Sequence, residues 1–236
     1  MDDALNVLQS DASARRKSEA CIQLRAALAE YPHDAPGRSV LLERAARLAA
    51  AALREPPSRL EAGRALVAIG PPAYEPLFTT VLETEGDTQA AATSCLIGMS
   101  NTVVPVLIPA LLGDDFAAQE RAVRILTRMG SPVSEILRSN YAKVLEPFAG
   151  FANTPGTTDL SMRGKSGVLA FARLFAAIGD RPSVLALLEG AETLHRRHPD
   201  VAAAHLRIID GLGREAVDRL STSQRLNYER LRLLMF

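Results

Sequence analysis

Apolar residues recur along the chain at helical spacing, in segments that end in the same way. Five segments align when each is counted back from its last residue, here called the stop: "EAGRALVAIG", "AATSCLIGMS", "RAVRILTRMG", "AFARLFAAIG" and "AHLRIIDGLG". The stops are Gly70, Ser100, Gly130, Gly179 and Gly213. The positions one, four and five before each stop hold apolar residues, which is typical of an amphipathic helix. The pattern predicts five such helices, here called stop helices, each with a glycine-type C-terminus.

A second apolar segment follows each of the first four stops, often with a proline near its start. Proline is tolerated in a first helical turn because its missing N–H would have no partner there. The stretch "VVPVLIPALLGDDFAAQERAVRILTRMG" forms one full unit of helix, acidic turn, helix and stop. Roughly residues 58–220 resemble HEAT repeats, most closely the short bacterial type first described in phycobilisome lyases. The resemblance implies an all-α fold, an armadillo-like, right-handed α-solenoid of stacked antiparallel helix pairs.

Helical caps are predicted at both ends of this array. Residues 1–57 contain two helical segments, "ARRKSEACIQLRAALAEY" and "SVLLERAARLAAAALREP", which form a divergent first repeat or an N-terminal cap. Residues 221–236 form a C-terminal capping helix that begins at Ser221 or Thr222. We expect residues 58–220 and the two caps to form a single structural domain.

The third repeat contains an insertion. Consecutive stops are 30, 30, 49 and 34 residues apart, so the third interval carries about 19 extra residues. With one helix over Ser134–Leu145 and the next starting at Ser166, the extra residues form a loop over about 146–165. Loops of this length are usually functional or disordered.

Composition excludes several classes of protein. Hydrophobic residues make up 47% of the chain, which supplies a sizeable core. Lysine plus arginine and aspartate plus glutamate number 27 each, so no overall field attracts nucleic acid or an anionic membrane. Cys21 and Cys95 are expected to be buried thiols in a reducing compartment. The N-terminus lacks the features of a signal peptide and no run of 18 apolar residues occurs, which predicts a cytoplasmic protein without a membrane span.

The loop contains Gly164-Lys165-Ser166, the three letters that end a phosphate-binding loop. That motif needs a glycine five residues before Gly164, where Asp159 stands, and it must follow a buried strand. We therefore interpret these residues as the start of a helix, capped by Ser166 or a neighbour.

Histidines offer two metal-binding patterns. The Glu-x-x-His pairs Glu30–His33 and Glu192–His195 have the spacing of di-iron ligands, but Pro32 interrupts the first pair. His195, His198 and His205 could bind zinc, but no cysteine is near and His205 occupies a repeat position held elsewhere by alanine or phenylalanine. No metal site and no cofactor are predicted. Cys95, at a core position of its helix, is interpreted as a small buried hydrophobe rather than a nucleophile.

Arginine recurs six residues before the stops, where the residues are Arg64, Ser94, Arg124, Arg173 and Arg207. This position points away from the predicted core, and in HEAT-like folds such helices line the concave face. Arg121, Arg124 and Arg128 add a stripe about 60° wide on one helix. Guanidinium groups bind carboxylates and phosphates bidentately, so the arginines form a candidate binding ladder, with Arg163 and Lys165 as contacts from the loop. The alternative is a solvated face whose arginines pair with glutamates of neighbouring repeats.

The function predicted from these features is a non-enzymatic interaction or scaffold module whose partner is a protein with an acidic or phosphorylated surface. One alternative is an enzyme on a HEAT-like scaffold, such as a bilin lyase or a DNA alkyl-purine glycosylase. The other is a nucleic-acid-binding solenoid. Neutral net charge and the presence of only three lysines weigh against nucleic acid.

Overall fold

The structure, a computed structural model, describes residues 1–32, 36–148 and 162–236. Within these ranges the chain is all-α, with fourteen α-helices and no strand. The helices are α1 (Asp2–Gln9), α2 (Ala14–Glu30), α3 (Arg38–Ala52), α4 (Arg59–Ile69), α5 (Tyr74–Glu83), α6 (Gly86–Gly98), α7 (Val104–Leu112), α8 (Phe116–Met129), α9 (Ser131–Leu145), α10 (Met162–Ile178), α11 (Arg181–Leu194), α12 (Pro199–Gly211), α13 (Arg214–Asp218) and α14 (Thr222–Met235). Short 3₁₀ helices occupy Pro71–Ala73, Ser100–Val103 and Glu146–Phe148.

The five stops resemble one another in their φ angle. The φ angle is positive at all of them: 76° at Gly70, 56° at Ser100, 67° at Gly130, 66° at Gly179 and 84° at Gly213. In the described ranges Ser100 is the only residue other than glycine with a positive φ. A Cβ is strained in this region, which is why glycine suits a chain that leaves a helix in this way. The predicted ends of the stop helices α4, α6, α8, α10 and α12 are therefore confirmed to within two residues.

The repeat pattern also predicts the buried side of each stop helix. The position four before the stop is buried in all five cases, and so is the position eight before it. The latter position holds Ala62, Ala92, Ala122, Phe171 and His205. Residues four apart lie on the same side of a helix, so these two positions together define the side that faces the core.

The helices group into two compact units, Met1–Val106 and Leu107–Phe236. In the first unit α4 contacts α2 and α6, while α3 contacts α1 and α5. In the second unit α10 contacts α8 and α12, and α12 contacts α14, while α11 contacts α9 and α13. Within each unit the stop helices thus belong to one row of helices. The single array over 58–220 with a cap at each end stays a prediction. The two compact units meet between Val106 and Leu107, which is not one of the predicted domain boundaries.

A recurring side-chain cap closes three of the helix pairs. Eleven positions before the stop, a nitrogen donor reaches a carbonyl at the end of the preceding helix. The pairs are Arg59 Nε to Leu53 O (3.1 Å), Gln89 Nε2 to Thr84 O (2.7 Å) and Gln119 Nε2 to Leu111 O (2.9 Å). Carbonyls in a last helical turn lack intrahelical partners, so each cap satisfies a group that would otherwise remain unpaired.

Several helix boundaries differ from the sequence prediction. Helix α10 begins at Met162, four residues before Ser166, and α9 begins at Ser131 rather than Ser134. Helix α1 was not predicted. The C-terminal helix begins as predicted: Ser221 caps α14, and its hydroxyl accepts from the backbone N–H of Gln224 while the Gln224 side chain accepts from the N–H of Ser221. This reciprocal pair is a capping box.

No single helix in the described ranges is both long and apolar enough to cross a membrane. The segments Gly86–Gly98 and Ser100–Leu112 meet the length and composition requirement only when they are joined, and the chain bends by 111° between them.

Candidate functional site: the arginine face

The position six residues before the stop is exposed in all five stop helices. It lies two residues from each of the buried positions four and eight before the stop, which in an α-helix places it on the outer side. The prediction that these side chains point away from the core is confirmed. The arginines at this position differ from one stop helix to the next in the groups that they contact.

Arg64 lies in the first unit and pairs within its own helix. Its Nη1 is 2.7 Å from Oε1 of Glu61, whose other oxygen is 3.3 Å from Arg25 Nη1 on α2. Arg64 also lines a groove of about 840 Å³ along α4 and α6, together with the exposed apolar residues Leu60 and Val67. Arg64 and Arg25 therefore share one carboxylate at the edge of an apolar surface.

Arg173 joins two helices of the second unit. Its guanidinium donates to Glu120 Oε1 (2.8 Å) and Gln119 Oε1 (3.1 Å) on α8. Gln119 is buried, and its amide nitrogen also lies 3.3 Å from Ser166 Oγ. For Arg173, the alternative interpretation thus holds: the arginine is exposed to solvent and pairs with a glutamate of a neighbouring helix. Sequence reasoning missed Gln119, although the recurrence of Gln89 and Gln119 eleven residues before their stops was a signal.

Two further cations, Arg207 on α12 and Lys165 on α10, also have partners. The Arg207 guanidinium lies 5.4 Å from the centre of the Phe236 ring, which is cation–π distance. Lys165 Nζ lies 3.2 Å from Asp200 Oδ2 on α12. The prediction that Lys165 belongs to the inserted loop is wrong, because α10 starts early enough to include it. Arg163 is in the first turn of α10, and its side chain lies outside the described part of the structure.

The three arginines of helix α8 have no carboxylate partner in the part of the chain that the structure describes. Arg124 and Arg128 are exposed and Arg121 is half-buried, and among the described residues no carboxylate forms an ion pair with any of the three. The only acidic residue of α8 is Glu120, and Arg173 occupies it. We call Arg121, Arg124 and Arg128 the α8 arginine stripe. Three like charges within one stripe repel one another, and an anionic ligand would relieve that repulsion.

A buried polar pair lies in the core of the second unit. Tyr141 Oη is 2.5 Å from His205 Nε2, and His205 Nδ1 is 2.8 Å from the carbonyl of Val201. A carbonyl can only accept, so Nδ1 carries the proton and Nε2 accepts from the tyrosine hydroxyl. Burial lowers the pKa of His205 and raises that of Tyr141. His205 is thus a neutral core residue with both ring nitrogens bonded, which excludes it as a zinc ligand in this conformation.

The other histidines of the two metal-binding patterns that the structure describes also contact protein groups. His195 Nδ1 lies 2.6 Å from the carbonyl of Glu192, and His198 is buried with its ring edge-on to Phe148. His33 lies outside the described residues. Among the residues that the structure does describe, no three His, Cys, Asp or Glu side chains come together as a metal site.

The Gly-Lys-Ser stretch belongs to a helix rather than to a loop. Gly164, Lys165 and Ser166 lie near the start of α10, so the prediction that they begin a helix is confirmed. Ser166 itself is not the cap, because it lies inside α10 and contacts Gln119. Asp159 lies outside the described residues. Both cysteines are free, and burial raises the pKa of each thiol to about 11. Cys21 is buried and Cys95 partly so, and both are protonated at neutral pH, as inert thiols are.

The class that these observations define is an all-α protein with exposed arginines on α8, α10 and α12. No protein-family model matches the chain, and no curated protein matches it. One similar solved structure is the crystal structure of an engineered protein, Northeast Structural Genomics Consortium target OR329. It has 18% sequence identity over 98% of each chain and a TM-score of 0.34, a likeness on which no argument is based.

Proposed function

We propose that the protein is a non-enzymatic interaction module built from HEAT-like helix pairs, and that the outer face of α8, α10 and α12 binds an acidic or phosphorylated segment of another protein. The observation that carries the proposal is the α8 arginine stripe. Its three guanidinium groups lack carboxylate partners among the described residues, whereas Arg173 on the neighbouring helix has them.

The stripe suits an extended anionic ligand. Neighbouring packed helices lie about 8–10 Å apart, so a segment that crosses from α8 to α10 and α12 meets a cation at each helix. Arg173 and Arg207 hold weak, exposed partners, a surface ion pair and an aromatic ring, which a ligand carboxylate or phosphate can replace at a cost of about 1 kcal/mol or less each. The unpaired arginines of α8 need no such exchange.

The test is direct binding of labelled peptides, followed by fluorescence anisotropy. The probes are a fluorescein-labelled glutamate-rich peptide, the same peptide with phosphoserines, and a labelled DNA duplex. We expect the peptides to bind, with an affinity that falls between 50 and 300 mM NaCl as surface charge is screened. The triple variant R121E/R124E/R128E should lose this binding.

The matched control is R181E/R196E/R214E, which makes the same change in charge at exposed arginines of the same unit that lie off α8, α10 and α12. Equal loss in both triple variants would show that overall charge, not the stripe, controls binding. Tighter binding of the duplex than of either peptide would favour the nucleic-acid alternative. The circular dichroism spectra of both variants must match that of the wild type.

A further inference from the structure

The groove along α4 and α6 in the first unit has an apolar lining. Its volume is about 840 Å³. Leu60 and Val67 line it from α4 and are 65% and 43% exposed. Ala91 and Cys95 line it from α6, and a Cβ added at Gly63 would lie 3.1 Å from Cys95 Sγ, so only small side chains fit where the two helices meet. We call this surface the α4–α6 groove.

The spacing of the exposed apolar residues matches that of a helical partner. Leu60 and Val67 are seven residues apart, so they share one side of α4 and are separated by about 10 Å along its axis. An amphipathic helix that lies in a groove contacts it through residues at i, i+3 or i+4, and i+7, which cover the same distance. The α4–α6 groove therefore offers contacts for two successive turns of a helix.

The charges that line the groove are all positive. They belong to Arg25, Arg59 and Arg64. In the part of the chain that the structure describes, two carboxylates reach them: Glu61 is shared by Arg25 (3.3 Å) and Arg64 (2.7 Å), and Asp87 lies 3.2 Å from Arg59. The Asp87 side chain is 87% exposed, and an ion pair so open to water contributes little to stability. Three guanidinium groups thus face two carboxylates, a surplus that favours an anionic partner.

A second groove, between α2 and α4, extends the same kind of surface. Its volume is about 500 Å³, and it shares Arg25 and Ala68 with the first. Ile22, which is 47% exposed, lines it together with alanines of α2. Its charged lining residues are again arginines, and the second of them, Arg38, donates to two backbone carbonyls of the segment that follows α2. The apolar surface with its basic border therefore continues over α2, α4 and α6.

These properties discriminate between possible occupants. Small-molecule sites enclose most of their ligand, whereas the side chains of Leu60 and Val67 are themselves open to solvent. A second copy of this surface would bring arginines against arginines, which disfavours self-association here. An acidic segment without apolar side chains would leave the apolar lining uncovered. An occupant that is both apolar and acidic satisfies all the features of the groove.

We propose that the α4–α6 groove binds an amphipathic helix of a partner protein, whose apolar side is bordered by aspartate and glutamate. The apolar residues of that helix pack on Leu60 and Val67. Around α4, Arg59 and Arg64 lie on opposite sides of these two residues, so each border of the partner helix meets a guanidinium group. The site lies in the first unit and does not involve the α8 arginine stripe, which belongs to the second.

Three labelled peptides of about 18 residues test the proposal by fluorescence anisotropy. The first carries leucines at i, i+4, i+7 and i+11 with glutamates on both borders, the second has the same composition in scrambled order, and the third replaces each glutamate by lysine. We expect the first peptide to bind with a dissociation constant on the order of 10 μM, because one helix in a groove is a small interface. The scrambled and lysine peptides should each bind at least tenfold more weakly.

Two variants and two matched controls locate the contact. L60E should weaken binding of the first peptide at least tenfold, since it places a charge in the apolar contact. R64Q should weaken it about threefold, as expected for one exposed ion pair. The controls make the same changes on α3 of the same unit: V40E, at a side chain that is 69% exposed, and R47Q, at an exposed arginine. Both controls should bind the first peptide like the wild type, and all four variants should keep the circular dichroism spectrum of the wild type.

Three results overturn the proposal. They are equal binding of the first and the scrambled peptide, binding of the lysine peptide as tight as that of the first, and equal weakening by L60E and V40E. Binding of anionic phospholipid vesicles that L60E abolishes, without any preference for the first peptide, would assign the groove to a membrane surface and overturn it as well.

The groove and the α8 arginine stripe are tested separately. The variant R121E/R124E/R128E should keep the preference for the first peptide over the scrambled one, because that preference depends on the groove. L60E should still bind the glutamate-rich peptide that lacks apolar residues. Loss of the preference in R121E/R124E/R128E would show that the peptide occupies α8 and would overturn the assignment to the groove.

Discussion

Gly190 on α11 leaves the space in which the buried Tyr141–His205 pair is held. A Cβ added at this glycine would lie 2.7 Å from Tyr141 Oη and 2.9 Å from both Nε2 and Cδ2 of His205. All three neighbours are side-chain atoms that are themselves fixed, since Tyr141 packs against the rings of Phe171 and Phe175 and His205 is bonded to Val201. The substitution Gly190→Ala therefore forces the hydrogen-bonded pair to move.

The size of the effect follows from three contributions. Overpacking a buried site costs about 1–3 kcal/mol. Loss of the hydrogen bond would leave a buried hydroxyl and a ring nitrogen unsatisfied, at about 1–3 kcal/mol. Alanine recovers about 1 kcal/mol because it is a better helix former than glycine. We expect Gly190→Ala to lower the free energy of unfolding by about 1–5 kcal/mol, depending on how far the tyrosine can shift.

Urea unfolding followed by circular dichroism at 222 nm measures this change. The control is Gly211→Ala in the same unit, where no atom lies within 4 Å of the added Cβ and φ is not positive, and its stability should stay equal or rise by a few tenths of a kcal/mol. Tyr141→Phe removes the atom nearest to the added methyl group, so the double variant should lose less than the two single losses combined. The reasoning is refuted if Gly190→Ala is as stable as Gly211→Ala, or if the two losses simply add.

Three further predictions concern pH, a helix stop and an ion pair. Burial lowers the pKa of His205 from its ordinary value of 6.5, so on acidification the unfolded chain takes up the proton before the folded chain does. The stability that the neutral, buried His205 contributes is therefore complete above pH 6.5 and is lost as the pH falls towards the lower pKa of the folded state. Urea titrations from pH 7.5 to 5 should show a steeper decline for the wild type than for His205→Gln, and parallel profiles would contradict the assignment. Ser100→Gly should raise the free energy of unfolding by about 0.5 kcal/mol, because φ is 56° there, while Gly130→Ser should lower it by about 1 kcal/mol. Thermal unfolding measures both changes, and two changes of the same sign would exclude strain at positive φ as their cause. Arg138 binds both carboxylate oxygens of Glu189 (2.6 and 3.0 Å), so a double-mutant cycle of Arg138→Lys with Glu189→Gln should give a coupling energy of about 0.5–1 kcal/mol, and zero coupling would mean that the pair contributes nothing.

Much of the helical pattern was predictable because its causes are local. Each stop is a position where the chain turns into the left-handed region, and glycine is the residue that does so without strain, so the recurrence of glycine after an apolar period marks the helix end. Ser100 departs from that rule, yet the surrounding period still identified its stop. The sequence placed the start of α10 too late, because Gly164-Lys165-Ser166 is typical of a helix cap. The structure shows instead that Ser166 contacts Gln119 on another helix, a contact that the sequence does not reveal.

The candidate site was predictable only in part. The sequence by itself determined that the chain is helical, where the stop helices end and which of their positions face outward, because these properties depend on residues within a few positions of one another. Only the tertiary structure decided which arginines are neutralised: Arg173 finds Glu120 on a neighbouring helix, 53 residues away in sequence, and thereby leaves α8 with no acid of its own. It likewise made His205 a partner of Tyr141 rather than of a metal. The physical reason is that the free energy of a charged or polar side chain depends on the groups that packing brings beside it, and spacing within one helix carries no information about them.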